Sequence, residues 1–212
     1  MSRRILIVTA VQAEAAAIGE PKGALVIAGG IGRTNAAIAT TTSILTDGPF
    51  EWVINAGVAG ALPKSGLNIG DAVVANKCVY AEEGLIAPDG FQTIDEMGFS
   101  LGNFKKNKPP VDSCMLKCLQ SLGTVGGIAT VATCSGTNEH AELVLDRTGC
   151  ICEAMEGAAV VHTANRLGAK AIELRVISNT TGNRDSQQWD LELALKNLGH
   201  IVHQAVTALW KS

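Results

Sequence analysis

ILIVTAVQAEAAAIGEPKGALVIAGGIGRTNAAIATTTSIL, residues 5–45, sets the fold class. Ile5 to Thr9 is a run of strand length with no polar alternation, so both of its faces are apolar. Gln12 to Ile18 is Ala-rich and predicts a helix, and Ala24 to Ala28 repeats the short apolar pattern. Gly29-Gly30-Ile31-Gly32 then turns into a second helix, from about Thr34 to Leu45. A strand that is apolar on both faces must be covered on both sides, and strands separated by helices run parallel.

The same alternation continues along the chain. Trp52 to Asn55 predicts a third strand, ending in the small-residue turn Asn55-Ala56-Gly57-Val58-Ala59-Gly60. Asp71 to Tyr80 predicts a longer strand, with two more over Ile128 to Thr133 and Ala171 to Ile177. Helices are expected over Ser113 to Ser121, from near Glu139, over Met155 to Leu167, and over Leu191 to Trp210. Residues 87–110 are the least regular part. The expectation is an α/β protein of three layers, α/β/α, around a largely parallel sheet. With no internal repeat and no long linker, residues 1–212 read as one domain.

Composition narrows the function classes. The 212 residues are 47% hydrophobic and 17% charged, which excludes general disorder. A net charge of −3 argues against nucleic acid as the main partner. The one basic cluster, Lys105, Lys106 and Lys108, reads as a solvated loop. No apolar run reaches the roughly 18 residues of a membrane span, and no leader pattern precedes Ile5. The six cysteines contain no CxxC pair, so they read as reduced thiols of a cytoplasmic protein.

Gly29-Gly30-Ile31-Gly32-Arg33-Thr34-Asn35 has the context of a phosphate loop, a strand before it and a helix after it. From Gly30, however, the pattern is GxGxxN, and the next strand ends at Asn55 rather than at an acid for a ribose hydroxyl. A tight strand-to-helix turn and a ligand loop both stay open. The two small-residue turns together would let a flat ligand approach the backbone closely.

Acids in apolar surroundings are the stronger signal. Glu153 reads as a first-turn acid favouring a helix dipole. Glu156 is followed by Ala159, Val160 and Thr163 on its own helical face, so its carboxylate is expected to be covered and hydrogen-bonded. A sugar diol would satisfy it, as would a backbone amide. Glu14 sits just beyond the first strand, where an acid either favours a helix dipole or faces a ligand crevice. His200 and His203 are three residues apart with no third ligand nearby, a poor zinc pattern. Neither a metal nor a cofactor is expected.

ILIVTAVQAEAAAI, GGIGRTNAAIATTTSIL, INAGVAGALPKSGLNIGDAVVAN, CEAMEGAAVVHTA and ELRVISNTTGNRD occur in the order found in the purine nucleoside phosphorylase and nucleosidase superfamily. The resemblance covers most of the chain and weakens over residues 84–125. EAMEGAAV paired with ELRVISNTTGNRD and then Gln187-Gln188-Trp189-Asp190 resembles the futalosine hydrolase family within it. Those enzymes release hypoxanthine from futalosine in a bacterial route to menaquinone. The alternative is the methylthioadenosine/adenosylhomocysteine nucleosidase family, which releases adenine.

The resemblance implies a mixed, largely parallel sheet and a purine nucleoside plus water as reactants. It implies that Glu14 activates water, that Met155 and Glu156 meet the ribose, and that the segment from Ala56 to Gly60 (Ala56, Gly57, Val58 and Ala59 among it) lines the site. Asn179 falls where adenine-specific relatives place an aspartic acid that protonates N7 of the base. An Asn amide can donate to N7, to O6, or to both, which suits a 6-oxopurine. Arg33 is the only candidate for a phosphate site near the glycine turns, so hydrolysis is expected over phosphorolysis. Arg184 is a candidate cation for the substrate's carboxylate arm, and Asp185 a further candidate at the base. A homodimer or larger homo-oligomer is implied, because a partner subunit closes the site in related nucleosidases.

Overall fold

A computed structural model describes residues 5–211; residues 1–4, where the leader pattern was sought, and residue 212 lie outside the described part. Nine strands and six helices are described: β1 (Ile5–Thr9), α1 (Gln12–Ile18), β2 (Ala24–Ala28), α2 (Arg33–Asp47), β3 (Trp52–Ala61), β4 (Ala72–Tyr80), β5 (Gly84–Ala87), β6 (Gly90–Thr93), α3 (Ser113–Leu119), β7 (Thr124–Thr130), α4 (Asn138–Thr148), β8 (Cys152–Ala154), α5 (Gly157–Arg166), β9 (Lys170–Thr180) and α6 (Leu191–Lys211).

The three-layer α/β/α expectation holds. β1 is buried along its whole length, and its residues divide between two cores. Leu6, Val8 and Val53 point to the α5 side with Ala158 and Val161. Ile5, Ile7 and Ile54 point to the α6 side with Leu198, Val202 and Leu209. This is the physical meaning of a strand without alternation: neither face meets water.

The sheet is mixed, as the resemblance implied. β2, β1, β3 and β9 run parallel, while β4 pairs antiparallel with β9 and β8 pairs antiparallel with β3. Because β8 also pairs with β7, and β7 with β4, the strands β3, β8, β7, β4 and β9 close into a ring. β3 belongs both to this ring and to the open β2–β1 wing. Its far end therefore sits where the two parts meet.

Four local expectations change. Asn55 to Gly60 is not a turn, since β3 continues to Ala61 through Gly57 and Gly60, paired with β9 along its length. Close packing by neighbouring side chains, rather than a bend, explains those glycines. Cys152 to Ala154 is strand β8, so Glu153 is not a first-turn acid; α5 begins two residues later than expected, at Gly157. β7 starts earlier than expected, and its continuation to Thr133 is not strand. The irregular region holds the small hairpin β5–β6.

Gly157 has an ordinary φ, yet it cannot carry a side chain. A Cβ there would lie 1.8 Å from Glu173 Oε2, so the start of α5 rests directly on a buried carboxylate of β9. That contact fixes the position of Glu156, the residue before it.

Candidate active site

The ends of β1, β3 and β9 and the β8–α5 junction open onto a cavity of about 500 Å3. This is the crevice beyond the carboxyl ends of parallel strands where α/β proteins hold ligands. Glu14, Val58, Ala59, Met155, Glu156 and Asn179 all line it. Ala56 and Gly57 stand behind the wall and do not line it.

Glu14 lies in the first turn of α1 and is 3% exposed. Its Oε2 accepts hydrogen bonds from the N–H groups of Ala10 (2.9 Å) and Val11 (3.2 Å), and its Oε1 from that of Val58 (2.9 Å). A carboxylate has about four acceptor sites, so these bonds fix its orientation and leave one free.

Gly57 makes that arrangement possible. A Cβ at this position would lie 2.5 Å from both Glu14 Oε1 and Arg175 Nη1. Only a glycine lets a carboxylate and a guanidinium press on the same backbone.

Arg175, on β9, was not singled out from sequence, although an arginine inside the apolar run ELRVIS was the available signal. It is 1% exposed. Its Nε donates to Glu173 Oε1 (2.8 Å), its Nη2 to Glu156 Oε2 (3.1 Å) and to Asn55 Oδ1, and its Nη1 to the Val58 carbonyl (3.2 Å). Burial alone would lower its pKa, but the charges of Glu173, Glu156 and Glu14 outweigh burial and raise it.

Glu156 is 4% exposed, and besides Arg175 it accepts from Gly32 N–H (3.0 Å) and Met155 N–H (3.3 Å). The glycine-rich turn is thereby explained. The N–H groups of Gly29, Gly30 and Gly32 go to Thr9 O, Ala10 O and the Glu156 carboxylate, with Gly30 and Gly32 at positive φ. The turn holds a carboxylate in place. Arg33 is also engaged, donating to Glu83 Oε1 at 2.6 Å with Glu82 3.8 Å away.

A β-bulge aims the far wall. Ala59 pairs with Ile177 and Gly60 with Asn179, so Ser178 is an extra residue on β9. Without it, adjacent side chains would point to opposite faces; with it, both Ser178 and Asn179 line the cavity. Ser178 Oγ donates to Asn179 Oδ1 (2.8 Å), and Asn179 Nδ2 donates to the Thr180 carbonyl (2.9 Å). One amide hydrogen of Asn179 is left for a ligand.

Glu153, expected only as a helix-dipole acid, and Ser135, which the sequence did not single out, complete the wall beside Asn179. Burial holds the Glu153 carboxyl above its usual range, and its hydrogen bonds from Ser135 offset only part of that rise. At the rim, Arg184 Cζ lies 4.8 Å from the centre of the Trp189 ring, whereas Asp185 does not line the cavity. His203 Nε2 bonds the Ile18 carbonyl, and His200 pairs with Gln204. Among the described residues, no helix is long and apolar enough to cross a membrane.

The family model of the phosphorylase superfamily matches residues 5–207. The chain belongs to this superfamily. One superfamily relative is a futalosine hydrolase of Acidothermus cellulolyticus, 38% identical over 76% of this chain and 66% of its own length. The chain thus spans just under two thirds of that protein. Another is a futalosine hydrolase of Thermus thermophilus, 34% identical over 82% of this chain and 77% of that one. The superfamily fold is also seen in the native structure of futalosine hydrolase of Helicobacter pylori. It superposes with a TM-score of 0.79 at 21% identity, covering 97% of this chain and 98% of that one.

Proposed function

We propose that this protein is an N-glycosyl hydrolase of futalosine, releasing hypoxanthine and dehypoxanthine futalosine in menaquinone biosynthesis. The observation that carries the reading is the amide of Asn179, in place of a carboxylate, on the wall of the cavity that also holds Glu14 and Glu156. The futalosine hydrolases among its relatives support the same substrate.

Breaking an N-glycosidic bond builds positive charge on the ribose and negative charge on the base. Glu14, with one acceptor site free, takes a proton from water at the anomeric carbon. Glu156 accepts the ribose hydroxyls and stabilises the cationic sugar, its position held by Arg175 and Gly32. Met155 packs against the ribose. Asn179 donates to N7 or O6 of the leaving hypoxanthine, where an ionised Asp would meet O6 with like charge.

Water rather than phosphate is the nucleophile in this reading. The three glycine amides of the turn go to Glu156 and to backbone, and Arg33 is neutralised by Glu83. Arg184, at the rim beside Trp189, faces the carboxylate arm. The enzyme works in the cytoplasm as a homodimer or larger homo-oligomer.

Base release from futalosine, methylthioadenosine and inosine, with and without phosphate, tests the proposal. Hypoxanthine release from futalosine independent of phosphate is expected. Rapid adenine release from methylthioadenosine with futalosine left intact would overturn it.

A further inference from the structure

The reaction as derived leaves one buried carboxylate on the cavity wall without a task. Glu153 is 5% exposed and lies on β8, opposite Gly60 of β3. Its Oε1 accepts from Ser135 N–H (2.7 Å) and its Oε2 from Ser135 Oγ (2.6 Å). A serine hydroxyl has one hydrogen, so His140 Nδ1, 3.0 Å from Ser135 Oγ, is the donor in that contact. Donation runs from His140 to Ser135 to Glu153. The chain ends in an acceptor, with a lone-pair site left on each carboxylate oxygen.

Gly60 places this acceptor next to a donor. A Cβ on Gly60 would lie 3.1 Å from Asn179 Nδ2 and 3.6 Å from Glu153 Cγ. An amide donor and a carboxylate acceptor thus flank one bare glycine on the same wall. A 6-oxopurine presents the complementary edge, with acceptors at N7 and O6 and a donor at N1–H. A 6-aminopurine presents a lone pair at N1, which a carboxylate acceptor opposes.

We propose that Glu153 is a specificity-determining residue that accepts the N1–H of a 6-oxopurine while the free amide hydrogen of Asn179 goes to its N7 or O6. The inference rests on the reading of the cavity as a purine site. Selectivity then comes from a donor–acceptor pair, and the cost of a wrong base is an unmatched buried polar group.

The test measures inhibition constants of hypoxanthine, 1-methylhypoxanthine and adenine on the full chain and on Glu153→Gln. The wild type should bind hypoxanthine at least roughly tenfold more tightly than either other base. Glu153→Gln, which offers an amide that can donate to N1 of adenine, should reduce the hypoxanthine-to-adenine preference by roughly tenfold. A merely structural role would weaken all three bases together, and an unchanged preference in the folded variant overturns the proposal. If the variant does not fold, the wild type decides alone: equal binding of hypoxanthine and 1-methylhypoxanthine sinks it. The underlying reading fails separately, through absence of purine release from any nucleoside by the wild type.

Discussion

Arg175 Nη2 stands 3.1 Å from Glu156 Oε2, with the two side chains 1% and 5% exposed. The same guanidinium binds Glu173 through Nε, so one cation on β9 serves two buried acids. An unpaired buried charge is far more costly than an absent pair. The ion cluster therefore supports the site geometrically, and its partial loss is what the fold cannot tolerate.

Arg175→Met should destabilise the protein by about 3–5 kcal/mol, because Glu173 is left buried without its partner. Arg175→Lys should recover little of this. An ammonium cannot reproduce the fork that meets Glu173, Glu156, Asn55 and the Val58 carbonyl together. Chemical denaturation of both variants checks the expectation, and a lysine variant as stable as wild type would refute it.

Glu14→Gln should lower turnover roughly 10²–10⁴-fold, the range of a lost general base. It should also lower stability, by about 1–3 kcal/mol, because the new amide NH2 must face an N–H of Ala10, Val11 or Val58. Single-turnover base release and thermal unfolding measure the two effects separately. Near-normal turnover would remove Glu14 from the reaction.

Asn179→Asp should shift relative kcat/KM toward 6-aminopurine nucleosides by roughly tenfold. The Ser178 hydroxyl, which now donates to Asn179 Oδ1, can hold the new carboxylate in the same place. The other oxygen takes the place of Nδ2 beside the Thr180 carbonyl, so stability should fall by about 1–3 kcal/mol. An unchanged preference ratio would mean that position 179 does not read the 6-position of the base.

His162 sets a pH dependence of stability. Burial first, and Arg166 second, hold its pKa below the ordinary value of 6.5. Its ring packs edge-on against Phe104 and Tyr80, and Nε2 is buried without a hydrogen-bond partner. With the folded pKa depressed, the unfolded chain takes up the proton first as pH falls. The stability contribution is full above the unfolded pKa and is lost as pH drops through the folded one. His162→Phe should therefore show a shallower fall in Tm than wild type between about pH 7 and about pH 5. Parallel curves would contradict this assignment.

Much of the architecture was legible in local patterns. The unbroken apolar run of Ile5 to Thr9 required cover on both faces, and the Ala-rich segment after it was a helix, as observed. Where Gly served a turn, as at Gly30 and Gly32, the reading was right in place, though the glycine amides go to protein groups. Where Gly served close packing, as at Gly57 and Gly60, the same residue type looked like a break in structure. Composition cannot separate the two uses, because the reason lies in what approaches the missing side chain: Arg175 and Glu14 at Gly57, Thr181 and Asn179 at Gly60.

Sequence by itself determined the alternation of strand and helix, the buried state of Glu156, and the unusual amide at position 179. These depend on neighbours along the chain and on side-chain chemistry. Only the tertiary structure decided that Arg175 joins Glu156 to Glu173, that Ser178 is a bulge, and that Glu153 stands on a strand beside Asn179. Each of those facts depends on the register of strands distant in sequence, closed into a ring by β8. Register follows from packing on both faces at once, which no local pattern contains.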